Sequence, residues 1–324
     1  MKKIGLITSG GDSPGMNACI RAVVRTAISK GLCVTGFYRG YDGLIDNDYV
    51  ELTAKSVSNI IHRGGTILKS ARSPRFLSKE GKLLAVEHIK QHLLDGLIVI
   101  GGDGSFKGAS ALTDLYPIKV IGCPGTIDND LVGTDYTIGY DTAVNTALEA
   151  IDKIRDTADS HDRVFFIEVM GRDSGYIAIQ SGIAGGAEIV MVPEVLTPIS
   201  EVVETLKQGW NRSKSSSIIV VAEGDEEGNA AQVAEKIKKR VEVDIDIRVT
   251  TLGHIQRGGI PTAYDRILAS RLGLGAVEGL MNDLKNVMVG IVNNEIVYTP
   301  FRDTIRLPKP INEDMLRMVK ILST

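Results

Sequence analysis

The sequence predicts an α/β protein of two layered domains with mostly parallel sheets, and three observations carry that expectation. Apolar runs within Lys3–Thr8, Gly96–Ile100, Val164–Val169 and Ser217–Ala222 are almost uninterrupted, as strands buried on both faces are. Each gives way to a segment of helical period, the alternation that builds βαβ units. At 324 residues the chain is long for one core and suited to two.

Lys3–Thr8 reads as the first buried strand, and Ser9-Gly10-Gly11-Asp12-Ser13-Pro14-Gly15 turns it into a helix over Met16–Lys30. The loop lacks the Lys-Ser/Thr ending of a P-loop and the G-x-G-x-x-G of a dinucleotide fold, so neither mechanism applies. Gly11 still suits close approach by a nucleotide phosphate. Arg21 and Arg25 share one helical face, whose plain reading is a solvated basic stripe. Leu32–Tyr38 reads as the next strand, and Ser56–His62 as a short capped helix closed by Gly64-Gly65. In the loop Ser70–Arg75, the arginines suit either surface charge or planar forks for phosphate, and composition leaves both open.

Gly96–Ile100 delivers Gly101-Gly102-Asp103-Gly104-Ser105 into a helix expected to start near Phe106. Glycines at such a turn let backbone N–H groups reach a phosphate, the helix N-terminus adds partial positive charge, and Asp103 is placed to hold magnesium. Val120-Ile121-Gly122 then ends a strand, and Cys123-Pro124-Gly125-Thr126-Ile127-Asp128-Asn129-Asp130 follows. Asp128 and Asp130 repel each other there unless a metal, an arginine or a proton intervenes; an Asx-rich turn is the alternative.

The period over Gly139–Asp159 marks a connecting helix that begins the second domain. Strands over Val164–Val169, Ile189–Val192, Ser217–Ala222 and Ile245–Thr251 alternate with helical segments. Their exits carry Met170-Gly171-Arg172, Glu223-Gly224 and Gly253-His254-Ile255-Gln256-Arg257-Gly258-Gly259. His254 alone reads as a loop histidine; with Arg163, Arg172, Arg248 and Arg257 it points to a shared phosphate pocket. A helix over Tyr264–Met281, a strand over Val287–Val292, and an exposed tail with a last helix from Glu313 complete the chain.

Composition narrows the function. A net charge of -3 offers no basic field to a nucleic acid. Cys19, Cys33 and Cys123 sit in apolar runs without metal-ligand spacing and read as reduced core residues of a cytosolic protein. No leader precedes the first strand and no apolar run approaches membrane-span length, so neither export nor a membrane partner is expected.

The loops at residues 9–17, 101–105 and 124–130, with Met170-Gly171-Arg172 and Gly253–Gly259, together resemble the bacterial ATP-dependent 6-phosphofructokinases over essentially the whole chain. The resemblance implies a cytoplasmic glycolytic kinase that phosphorylates fructose 6-phosphate at its 1-hydroxyl. It implies an ATP/magnesium domain over 1–139 plus about 258–304, and a sugar-phosphate domain over about 140–257 plus 305–324. By position, Gly11, Arg72, Ser73, Gly102, Asp103, Gly104 and Ser105 would meet ATP, with Asp103 holding Mg2+. Asp128 would be the base, flanked by Thr126, while Arg72 and Arg172 stabilise the transferring phosphoryl group.

The sugar phosphate would meet Thr126, Ile127, Asp128, Met170, Gly171, Arg172, Glu223, His254, Ile255, Gln256 and Arg257, with Arg163 and Arg248 supplied by a neighbour in a homotetramer. Arg21, Arg25, Arg155, Glu188, Arg212 and Lys214 match the effector positions for ADP and a phosphoenolpyruvate-type inhibitor. Ala54, Ser73 and Leu77 depart from some relatives. Gly104 and Gly125 stand where pyrophosphate-using relatives carry Asp and Lys, and two glycines would leave that space open.

Overall fold

Strand and helix alternate along the chain, which divides into two units. One comprises Met1–Ile127, Leu131–Thr142 and Arg257–Lys309; the other comprises Asp128–Asp130, Ala143–Gln256 and Pro310–Thr324. The computed structural model describes residues 1–160, 163–211, 216–241, 246–305 and 307–322, so Arg212 and Lys214 lie outside the described residues, as does Ile245.

In the first unit β1 (Lys3–Thr8) leads to α1 (Met16–Ser29), β2 (Cys33–Phe37), α2 (Tyr41–Asp46) and β3 (Tyr49–Leu52). A 3₁₀ turn at Arg75–Leu77 precedes α3 (Lys79–Gln91), β4 (Gly96–Gly101), α4 (Asp103–Thr113) and β5 (Lys119–Pro124). Helix α5 (Tyr140–Asp159) carries the chain into the second unit. There β6 (Val164–Val169), α6 (Tyr176–Ala184), β7 (Ile189–Met191), α7 (Ile199–Asn211), β8 (Ser217–Ala222), α8 (Ala230–Lys238) and β9 (Ile247–Thr251) follow. The first unit resumes with α9 (Ala263–Met281), β10 (Val287–Val292), β11 (Glu295–Pro300) and α10 (Phe301–Thr304), and α11 (Glu313–Leu322) belongs to the second.

The first sheet has the order β11-β10-β5-β4-β1-β2-β3, parallel except at its two edges, where β3 and β11 run antiparallel. Successive residues of a strand face opposite ways. Thus Ile98 and Ile100 join the core under α1 and α9, with Val23, Val24 and Leu272, while Leu97 and Val99 join Ile89, Phe106 and Phe301 on the other face. The second sheet, β7-β8-β6-β9, is wholly parallel. Its residues Phe166, Ile219 and Val221 pack with Val202 and Leu206 of α7 and with Val233 and Ile237 of α8.

Four expectations are corrected. Ser56–His62 forms successive turns rather than a helix; Thr53 and Ser56 bond each other's hydroxyls and amides, and Asn59 is left-handed at φ 55. Such side-chain bonds compete with a helix. Cys33, at the open start of β2, is exposed rather than core, whereas Cys19 and Cys123 are buried. Helix α4 begins at Asp103, three residues before Phe106, because Gly102 in extended conformation starts it. Finally, the tail after Val292 folds back as β11 through Asn293-Asn294, both at positive φ, a tight hairpin turn. Among the described residues no helix is long and apolar enough to cross a membrane.

Candidate active site

Strand β1 lies between β2 and β4, so the chain leaves it towards one side and later returns on the other. In an open parallel sheet such a switch point opens a crevice at the carboxyl ends. The loops after β1 and β4 meet there. Ser9 N–H donates to the Ile100 carbonyl at 3.0 Å, and Ser105 Oγ donates to the Ser9 carbonyl at 3.0 Å. Gly10 N–H donates to Ala71 at 3.2 Å, which draws in the loop bearing exposed Arg72. Arg257 Nη1 reaches the Asp12 carbonyl at 3.3 Å, laying its guanidinium beside Gly11. Ser73 is committed elsewhere, its hydroxyl donating to Asp42 at 2.5 Å.

Asp103 opens α4, where the first N–H groups of a helix have no intrahelical acceptor and favour an anion. Its Oδ2 accepts from Lys107 at 2.7 Å, while Oδ1 is buried without a hydrogen-bond partner. A single orphaned carboxylate oxygen beside a glycine-rich turn at a helix start is the donor that magnesium uses when phosphates and water supply its remaining ligands. Among the described residues no group of three or more His, Cys, Asp or Glu side chains is arranged to hold a metal by itself.

The next exit lies alongside. Gly101 pairs with Pro124, Gly125 N–H donates to Gly101 at 2.9 Å, and a Cβ on Gly102 would touch Thr126 at 3.5 Å. The Thr126 carbonyl accepts from Thr137 at 2.6 Å, and Ile127 is fully buried, so its side chain is not available to a ligand. Gly104 meets open space, but Gly125 does not: a Cβ there would meet Ile100 and Met16 at 3.0 Å. The expectation that both glycines leave room is therefore corrected for Gly125, whose smallness serves packing.

Asp128 belongs to the second unit and is buried; its carbonyl accepts from Ser174 Oγ at 2.9 Å. The exits of β6 and β8 are adjacent, since Val169 pairs with Ala222. Arg172 is left-handed at φ 58, and its N–H donates to Glu223 Oε1 at 2.8 Å. A non-glycine residue held in that region stores backbone strain, a mark of functional turns. Gln256, placed among the ligand contacts by resemblance, is wholly buried; its amide accepts from Met170 N–H at 3.3 Å and donates to Gly253 at 3.0 Å. It braces the exits, and His254 and Ile255 of the same turn are exposed.

Arg163 and Arg248 do not stand at the strand exits with Arg172. They stand at the amino-terminal ends of β6 and β9. At about 3.3 Å per residue, the six residues of β6 put Arg163 roughly 20 Å from its carboxyl edge, and Arg248, paired with Phe165, stands roughly 13 Å from it. Both bind Asp246, Arg163 Nε at 2.6 Å and Arg248 Nε at 2.9 Å. Arg257 belongs to the first unit. Among the effector candidates, Arg21 is half-buried and Arg25 exposed on α1. Arg155 in the second unit donates to the Gly185 and Gly186 carbonyls at 2.5 and 2.7 Å, just past the end of α6, and buried Glu188 accepts from Ile218 N–H.

Sequence reasoning missed Asp265, fully buried near the start of α9. Its carboxylate accepts from Gly139 N–H and Thr142 N–H at 2.8 Å, and from Thr142 Oγ1 at 2.5 Å, so it caps the start of α5. Its only sequence signal is the Thr262-x-x-Asp265 start of α9, where Thr262 caps. Burial outweighs these donors and pushes the carboxyl up to about 6 from 3.8. The folded protein thus binds this proton more tightly than the unfolded chain, and the residue's contribution to stability falls as pH rises from about 4 to about 6 and stays lost above. Denaturant unfolding at pH 4.5 and 7, in the wild type and in Asp265→Asn, is expected to show this slope, on the order of 2 kcal/mol, in the wild type alone. Equal slopes would refute it.

The chain matches the family model described as Phosphofructokinase over residues 3–280. It is 58% identical over 323 residues to the ATP-dependent 6-phosphofructokinase of Cytophaga hutchinsonii, covering 100% of this chain and 98% of that protein. The crystal structure of Pichia pastoris phosphofructokinase in the T-state superposes with a TM-score of 0.88 at 35% identity, covering 94% of this chain and 35% of that one. The pyrophosphate-dependent phosphofructokinase of Marinobacter aquaeolei superposes with 0.85 at 24% identity over 99% and 91%.

Proposed function

This chain belongs to the phosphofructokinase family, and we propose that it transfers the terminal phosphoryl group of ATP to the 1-hydroxyl of fructose 6-phosphate, giving fructose 1,6-bisphosphate and ADP, the committed step of glycolysis. The observation that carries this reading is the pairing of Gly101 with Pro124, which sets the Gly-Gly-Asp-Gly and Pro-Gly-Thr-Ile-Asp loops at neighbouring strand exits. Phosphoryl transfer passes through a loose transition state, so the protein's contribution is positioning and charge stabilisation.

In this reading Gly11, Arg72, Gly102, Asp103, Gly104 and Ser105 bind the triphosphate, and Asp103 holds Mg2+, which when bound neutralises charge on the phosphates. Ser73 contributes backbone, since its hydroxyl is spent on Asp42. Asp128 takes the proton of the sugar 1-hydroxyl as its oxygen bonds to the γ-phosphorus and the bond to the β–γ bridging oxygen breaks. Arg72 and Arg172 spread the charge of the transferring group. Thr126, Met170, Gly171, Glu223, His254, Ile255 and Arg257 orient the sugar phosphate, with Gln256 acting from behind.

The donor is ATP rather than pyrophosphate, because the open space beside Gly104 admits the nucleotide's inner phosphate where an aspartate would crowd it. The overall fold does not choose, since a pyrophosphate-dependent enzyme shares it. A coupled ADP-release assay with fructose 6-phosphate tests the whole reading. Turnover with ATP, abolished by chelating magnesium and absent with pyrophosphate, is expected; turnover with pyrophosphate alone would overturn the donor, and none with either would overturn the enzyme.

The active form is a homotetramer in the cytoplasm, supported by Arg163 and Arg248 standing at the strand ends away from Arg172; a monomer sedimenting with full activity would refute it. A second anion site takes ADP or a phosphoenolpyruvate-type inhibitor at Arg21, Arg25, Arg155 and Glu188, with Arg212 and Lys214. Inhibition that survives in Arg25→Ala at subsaturating sugar phosphate would remove this assignment.

A further inference from the structure

Two cations aimed at one phosphate face a problem before the phosphate arrives: they repel each other, and long side chains do not hold a common aim. In the second unit Asp246 stands between Arg163 and Arg248. Its Oδ2 accepts from Arg163 Nε at 2.6 Å and from Arg248 Nη2 at 3.1 Å, and its Oδ1 lies 2.9 Å from Arg248 Nε. The backbone is locked at the same place, because Val164 N–H donates to the Asp246 carbonyl at 3.1 Å and Phe165 pairs with Arg248. Both arginines are thus gripped on their Nε edges, and Nη1 of each makes no hydrogen bond to a described residue. Two positive charges against one negative leave a net positive pair.

We infer that Asp246 is a positioning residue for sugar-phosphate binding: it holds Arg163 and Arg248 as one preorganised fork that presents its outer amines to a dianion in the neighbouring subunit. The inference rests on the proposed role of these two arginines. The trio is open to solvent, with Asp246 41% and Arg248 53% exposed, and ion pairs this exposed add little to stability. The geometry they impose is therefore the reason to look to binding. Charge-assisted pairing with Arg163 first, then Arg248, holds the Asp246 carboxyl below the usual carboxylate range, so it stays ionised throughout the neutral range.

The step that benefits is entropic. Fixing each guanidinium before binding removes rotamer freedom that the ligand would otherwise have to freeze. A carboxylate that competed with the ligand for the forks would have the opposite effect on binding. For a positioning residue, Asp246→Ala raises KM for fructose 6-phosphate about tenfold, with KM for ATP and the melting temperature near wild type, and Asp246→Glu restores part of the loss. For a competitor, Asp246→Ala lowers that KM.

The experiment measures both KM values for Asp246→Ala, Asp246→Glu, Arg163→Ala and Arg248→Ala, with the rise in melting temperature on adding fructose 6-phosphate as a readout independent of turnover. A raised KM and a smaller thermal shift in all four, least in Asp246→Glu, support the inference. An unchanged or lowered KM in Asp246→Ala while the arginine variants are impaired overturns the role of Asp246 alone. Arginine variants with wild-type KM overturn the reading of the two arginines, and the inference falls with it.

Discussion

Asp128→Ser and Asp128→Ala are expected to lower kcat by at least about 10²-fold, the scale of a lost general base, while fructose 6-phosphate still binds. Asp128 is the only carboxylate of its loop that combines burial with a backbone fixed from outside the loop, through Ser174 Oγ to its own carbonyl at 2.9 Å. A base must lie within hydrogen-bond reach of the proton it removes, and anchoring the main chain is how a short side chain keeps that reach. Binding is expected to survive because the proposed phosphate ligands are other groups. The pair of measurements is kcat in the coupled assay and the sugar-phosphate-induced shift in melting temperature. Near-normal kcat in Asp128→Ser would move the role elsewhere, with Asp130 next in line.

Gly224→Ala is expected to cost about as much, although it removes no functional group. A Cβ at this position would stand 2.0 Å from the Arg172 carbonyl oxygen and 3.0 Å from its carbon. These are backbone atoms, so nothing flexible yields; the turn bearing Arg172 has to move. That turn is already constrained, with Arg172 left-handed at φ 58 and its N–H tied to Glu223 at 2.8 Å. A displacement of the order of 1 Å at a positioning residue costs about 10²-fold in rate, and overpacking costs about 1–3 kcal/mol in stability. Lowered kcat with ATP protection against thermal unfolding retained is the expected outcome, because the phosphate loops belong to the other unit. Turnover within twofold of wild type would show that the Arg172 turn tolerates the shift.

Much of the fold was legible in the sequence because it is written in local patterns. Lys3–Thr8, Val164–Val169, Ser217–Ala222 and Val287–Val292 are strands as their apolar runs predict, and the family resemblance that the motifs carry is shown over the whole chain. Boundaries were less legible. The start of α4 depended on the extended backbone of Gly102, and β11 on a two-residue asparagine turn whose strands have weak patterning. The Ser56–His62 segment carries a cap residue and a closing Gly64-Gly65 but few good helix formers, and Thr53 and Ser56 bond each other where a helix would start.

What the sequence determined by itself is which residues sit at strand exits and what chemistry they bring: glycines and Asp103 after β4, Thr126 and Asp128 after β5, Arg172 after β6. That follows because an exit is a property of one strand and the loop beside it. Only the tertiary structure decided which side chains remain available. It sent Gln256 inward, filled the space beside Gly125 with Ile100 and Met16, used Asp265 to cap a helix begun more than a hundred residues earlier, and placed Arg163 and Arg248 at the opposite strand ends around Asp246. Each of these depends on which strands pair and in what register, and that choice is made by packing between segments far apart in the chain.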